Sequence, residues 1–314
     1  MESKYLGIHT QSSRNNQRTI LMLVLFPLLV AVLVWIFFFL IIGFTLASEG
    51  EGAGFFSAEN FQMTSLLTWQ TLPWVIGFCL IWFVIAYFIN VKIIKRATRS
   101  HTLSRSDNKR IYNLVENLCM SAGMPMPKVN VIEDESLNAF ASGINEKTYT
   151  VTLTRGIIEK LDDEELEGVI AHELTHIRNR DVRMLIVSIV FVGIFSTLAT
   201  VMLRSLSLRG KKNIAIILIV LVVAALGKLL SSLMRFAISR NREYMADAGA
   251  AEMTKKPHAL ASALRKISGN AQVESVTNNA VAQLFIENAL DGKKSSLFAS
   301  HPPILKRIEV LEQF

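Results

Sequence analysis

Cysteine is scarce in this chain: 314 residues hold two, Cys79 and Cys119. One falls in an apolar block and the other in a polar stretch, so no disulfide framework is available. A reducing compartment fits the polar part. Charge is also missing over long stretches. Ile20–Thr45 contains no Asp, Glu, Lys or Arg and is long enough to cross a hydrocarbon layer of ~30 Å. No small-x-small cleavage site follows it, and its apolar core exceeds the roughly 7–15 residues of a signal peptide, so an uncleaved anchor is expected. Lys and Arg are absent from the loop at residues 47–70, which carries Glu49, Glu51 and Glu59. Proline is absent from residues 164–193, and Gly168 is the one glycine before Gly193. A single helix is expected to run through that stretch.

What is present is apolar residue in blocks. The chain is 51% hydrophobic with a mean hydropathy of +0.37, which excludes an ordinary soluble protein. A second block runs from about Thr71 to Val91, with Trp74, Trp82 and Tyr87 suited to interfacial zones. A third, Met184–Leu203, is free of charge. A fourth, Asn213 to about Ala237, is interrupted by Lys228 and Arg235. Lys228 stands near the expected cytoplasmic end, where its amine can snorkel to the surface.

The net charge of +7 does not signal nucleic-acid binding. Lys92, Lys95, Arg96, Arg99, Arg105, Lys109 and Arg110 all follow the second block, the footprint of the positive-inside rule and of anionic lipid. Lys4, Arg14 and Arg18 precede the first block. The counting therefore places the N-terminus and everything from Lys92 onward in the cytoplasm. If blocks three and four span as a hairpin, Arg204, Arg209, Lys211 and Lys212 lie outside, against that rule. Either the first two spans dominate topology or the hairpin is shallow.

Residues 107–122 have helical periodicity, with Ile111, Leu114, Val115 and Leu118 on one face. Gly123-Met-Pro-Met-Pro127 breaks the chain. Strands are expected at residues 128–132, 138–142 and 148–154, with a turn at 143–146, giving a small antiparallel sheet. Asp162 to Glu165 crowd the start of the next helix, where carboxylates meet free amides; they read as helix-start residues.

That helix contains Ile-Ala-His-Glu-Leu-Thr-His-Ile at 170–177. His172 and His176 stand at i, i+4, on one helix face, where two imidazoles can bind one tetrahedral metal ion. Glu173 can take a proton from a water activated by that ion. The alternative is an exposed helix that happens to carry two histidines. His9, His101 and His258 have no neighbour at ligand spacing and read as surface residues.

A third ligand is needed. Counting equal distances either side of the basic turn near residue 208 brings His172 level with Arg242-Glu243-Tyr244, if both helices are continuous. The count favours Glu243 and leaves Asp247 open. Otherwise Glu243 would simply pair with Arg240, three residues back.

His-Glu-Leu-Thr-His at 172–176 together with Ser-Arg-Asn-Arg-Glu-Tyr-Met-Ala-Asp at 239–247 resembles the HtpX-type membrane zinc metalloproteases, relatives of the type I CAAX prenyl endopeptidases. Asn-Ala-Phe-Ala at 138–141, Ser-His-Pro-Pro at 300–303 and Lys306-Arg307 match in order. The resemblance implies one Zn2+ per chain on His172, His176 and Glu243, with Glu173 as general base. It implies Asp247 as the acceptor that orients a ligand histidine and Asn138 on the edge strand that pairs with extended substrate. It further implies His301 at the oxyanion and Arg307 structuring that end of the site.

The fold so implied is an integral membrane protein, mainly α-helical with a small antiparallel β-sheet, a zincin-like metalloprotease domain and about four transmembrane helices. Its expected parts are a tail and two spans (residues 1–95), a cytosolic portion with sheet and motif helix (96–182), a membrane hairpin (183–238) and a cytosolic helical portion completing the site (239–314). The expected substrates are misfolded or damaged polypeptides, membrane proteins included, in stress-linked quality control. The expected location is a bacterial-type inner membrane, with the active site facing the cytoplasm. Two rivals are a CAAX-type prenyl peptidase, whose relatives have more spans than the four blocks here, and a membrane scaffold with structural zinc, which would want four protein ligands.

Overall fold

The computed structural model describes residues 8–49, 55–187, 241–274, 276, 279–282, 284–287 and 302–314, with single positions between 221 and 227. Beyond residue 187, the expected membrane hairpin at 183–238 lies outside the described residues save for those single positions. So does His301.

Two long helices open the chain, α1 (Ile8–Glu49) and α2 (Ala58–Thr98), each with an internal proline, Pro27 and Pro73. Segments Thr19–Ala47 and Ala58–Ile85 are long and apolar enough to cross a membrane. They present Leu21, Val24, Leu28, Trp69, Trp74 and Leu80 outward. So much exposed apolar side chain is costly in water and ordinary in lipid. Two candidate spans are thus visible among the described residues; the other two expected apolar blocks lie almost wholly outside them. Ser57 begins α2 by accepting the Asn60 amide (3.2 Å). Buried Asn60 donates to the carbonyls of Phe39 (3.2 Å) and Phe55 (2.7 Å) and accepts from Thr64 (3.1 Å). With every polar atom partnered, it ties the two helices together at low cost. Trp35, Phe39 and Phe61 stack beside it, with Trp35 and Phe39 centroids 5.0 Å apart.

The chain divides into two units: residues 20–87 with 190–235, and the remainder. The latter carries the chemistry. A four-stranded sheet in the order β1-β2-β4-β3 is formed by β1 (His101–Thr102), β2 (Lys128–Ile132), β3 (Ala139–Ser142) and β4 (Thr150–Thr154). It is mixed, not antiparallel as expected. The turn at Gly143 does make β3 and β4 antiparallel, with Phe140 opposite Thr152. β2, however, runs parallel to β4, Asn130 beside Thr152, because the excursion from residue 132 to 150 returns β4 between β2 and β3. Gly143 has φ +115°, and a Cβ there would stand 2.5 Å from the Thr148 carbonyl, so the turn needs glycine.

Helix α3 (Lys109–Ser121) is capped by Asn108 and buries Ile111, Val115, Leu118 and Cys119. Thr154 ends β4 and caps α4 (Arg155–Lys160). Helix α5 (Asp163–Arg178) starts in a capping box: Asp162 accepts from the Glu165 amide (2.9 Å) and Glu165 from the Asp162 amide (3.1 Å). Arg110 secures the approach by donating to the carbonyls of Ile158 (2.9 Å) and Leu161 (3.0 Å). The expected uninterrupted helix is absent: α5 stops at Arg178. Asn179 caps it, Arg180 takes a left-handed φ of 60°, and residues 181–187 start helix afresh.

The remaining helices are α6 (Asn241–Thr254), α7 (Pro257–Ile267), α8 (Asn279–Ala282) and α9 (Ile304–Leu311). Small residues set their distance from α5. A Cβ on Gly168 would lie 3.1 Å from Leu260 of α7, and one on Gly249 of α6 would lie 2.5 Å from Thr175 Cγ2. Gly249→Leu is expected to force α6 off α5, costing roughly 1–3 kcal/mol. It should lower both the melting temperature and the bound metal; unchanged metal content would show that this contact does not set the site.

Candidate metal centre

One turn of α5 and one turn of α6 face each other across the Gly249 contact, bringing His172, His176 and Glu243 together. One ligand atom from each lies within 4.8 Å of the others. The two Nε2 atoms are 3.1 Å apart, and Glu243 oxygens stand 3.6 Å from His172 Nε2 and 3.7 Å from His176 Nε2. Ligands at ~2.0–2.2 Å from a tetrahedral ion would be about 3.3–3.6 Å apart. The donor set therefore fits zinc in kind and spacing.

The far nitrogens of both rings are occupied. His172 Nδ1 bonds Asp247 and His176 Nδ1 bonds Asp181, each at 2.9 Å. A ring that donates at Nδ1 presents the Nε2 lone pair. Two lone pairs and a carboxylate converging on one point repel unless a cation sits between them. Asp247 was expected from the resemblance; Asp181 is a residue that sequence reasoning missed. The left-handed Arg180 turns the chain back so that Asp181, five residues after His176, reaches its ring. A carboxylate just beyond the end of the motif helix was the available signal. Arg242 in turn donates to Asp181 (3.4 Å).

Every charge here is buried. His172, Glu173, Glu243, Asp247 and Arg307 are each at most 5% exposed. Burial and Arg307 both press against a charged His172, yet the carboxylates of Asp247 and Glu243 outweigh them and lift its pKa to about 9. Burial raises the Glu173 carboxyl above its usual range, against the pull of the two histidines and of the nearby Ala141 amide of β3. Burial works against an ionised Asp247, but Arg307 and His172 hold its pKa low.

Arg307, from α9, is fully enclosed and bonds Asp247 twice, Nε to Oδ2 at 2.9 Å and Nη2 to Oδ1 at 2.7 Å. Its Nη1 donates to the Ile286 carbonyl (3.3 Å). Asn138 is buried with its amide donating to the carbonyls of Ala271 (2.7 Å) and Glu287 (3.0 Å). The carboxylate of Glu173 thus meets the β3 edge at Ala141, while Asn138 holds the start of that strand.

The model of peptidase family M48 matches residues 105–314, which include all of these residues. The chain belongs to this family. It is a zinc-dependent metalloendopeptidase, and two of its helices are suited to a membrane. Among its relatives, a protease HtpX homolog of Bacteroides fragilis is 59% identical, with 99% of this chain and 100% of that protein aligned. A protease HtpX homolog of Dictyoglomus thermophilum is 42% identical over 76% of this chain and 80% of its own length. The crystal structure of S. mikatae Ste24p aligns with 77% of this chain at 21% identity and a TM-score of 0.48, and the chain spans 58% of that protein's length.

Proposed function

We propose that this M48 peptidase uses His172, His176 and Glu243 as zinc ligands and Glu173 as general base. The proposed task is cleavage of misfolded or damaged polypeptides, membrane proteins among them, at the cytoplasmic face of a bacterial inner membrane. The observation that carries the reading is the convergence of two oriented Nε2 lone pairs and a carboxylate at ligand spacing. Three protein ligands leave a coordination position for water or substrate, as hydrolytic zinc sites require and structural ones do not.

Zinc, when bound, supplies Lewis-acid activation of the attacking water and of the scissile carbonyl. Glu173 takes the proton of that water as the carbon–oxygen bond forms and hands it to the departing amine. Its burial keeps the carboxylate poorly solvated, hence a stronger base once the histidines carry no proton. Asp247 and Asp181 hold the imidazoles in register, and Arg307 holds Asp247. Neither aspartate reaches the reacting atoms; both are positioning residues. His301 is assigned to the oxyanion through the resemblance.

Glu243→Ala is expected to abolish stoichiometric zinc binding while the helical content stays native. Metal analysis on the detergent-purified protein checks it; full zinc occupancy in that variant would remove Glu243 from the ligand set. Cleavage of unfolded casein separates this reading from a peptidase confined to prenylated C-terminal peptides. Protection of residue 130 from protease added outside cells checks the cytoplasmic orientation.

A further inference from the structure

Strand β3 is the end of the sheet order, and its outward backbone groups are those of Ala139 and Ala141. A peptide entering beside Glu173 would pair there by β-augmentation. The chain's own Phe285 and Ile286 already occupy that edge. Phe285 bridges antiparallel to Phe140, and the Ile286 amide donates to the Ala139 carbonyl at 2.8 Å. The Phe140 and Phe285 rings pack at 4.6 Å, Asn138 donates to the Glu287 carbonyl, and both apolar side chains are buried. The outward Ala139 amide is taken by the Asn138 side-chain oxygen at 3.0 Å, and the Ala141 amide faces the same segment across the bridge.

We infer that residues 284–287 are an internal stand-in for substrate, a strap that must leave the β3 edge before a polypeptide can be cleaved. The inference rests on the peptidase reading of the site. The strap is built to detach. Its pairing with β3 is one isolated bridge, whereas β3 and β4 share four residue pairs. Its departure breaks the bonds from Asn138 to the Glu287 carbonyl and from Arg307 Nη1 to the Ile286 carbonyl, whereas Nε and Nη2 of Arg307 hold Asp247 independently. His172 therefore stays oriented while the edge opens. The occupied edge also hides apolar side chains and unpaired strand backbone that would otherwise invite unspecific pairing.

The test is a reversible tether in the full-length protein. Phe140→Cys and Phe285→Cys face each other in a pair whose backbone groups do not bond each other, the geometry that suits a disulfide. Oxidation is expected to lower casein cleavage about tenfold or more, with zinc content unchanged and activity restored by reduction; each single variant should ignore the oxidant. Unchanged cleavage by the tethered protein overturns the inference, because substrate then reaches the site with the strap in place. Absence of cleavage by the wild-type protein overturns the peptidase reading, and the inference with it.

Should the paired variant not fold, hydrogen exchange on Glu173→Gln with saturating casein decides. Faster exchange of the Ile286 amide, with β4 amides unaffected, supports the strap. Retained protection of Ile286 overturns it.

Discussion

Glu173→Gln is expected to keep the fold and a full complement of zinc while losing about 10²–10⁴-fold in kcat/KM for unfolded casein. The glutamine is isosteric and can still meet the Ala141 amide, so β3 and α5 stay in register. What it lacks is a carboxylate able to take a proton from water and return it to the amine. The loss should fall mainly on kcat, because Glu173 acts on atoms in motion and contributes little to holding peptide. A variant with wild-type turnover would remove Glu173 from the chemistry, whatever the metal content.

Arg307→Ala is expected to destabilise the protein by about 3–5 kcal/mol, because it strands the buried Asp247, to which no other guanidinium bonds among the described residues. Thermal melting in detergent, with and without zinc, measures this. Arg307→Lys should recover little, since one ammonium cannot reproduce the two-pronged bond. Removing both charges by Arg307→Met with Asp247→Asn should cost less than Arg307→Ala alone. A single variant as stable as wild type would mean that the pair is no support for the site.

The parts of the fold that local chemistry dictates were legible in the sequence. Asp162 and Glu165 announced a helix start, and they form the capping box. Ile111, Val115 and Leu118 announced the buried face of α3. The parallel pairing of β2 with β4 was not legible, since it depends on where a distant strand inserts. Nor was the break after Arg178, which contains neither glycine nor proline; the Asp181–His176 and Asp181–Arg242 contacts favour it, and both come from tertiary packing.

Glu243 was found by a count that assumed continuous helices. Glu243 does stand with His172 and His176, while most of the hairpin that the count ran through lies outside the described residues. The partners of Asn138 at Ala271 and Glu287 carry no sequence signal, being set by how the C-terminal segment crosses the β3 edge.

X-ray absorption at the zinc edge of the purified full-length protein tests the central claim most directly. The account predicts one zinc per chain with only nitrogen and oxygen at ~2.0–2.2 Å, two of the ligands being imidazoles. Sulfur at the metal, which would implicate Cys79 or Cys119, or active protein with no bound metal, would contradict it.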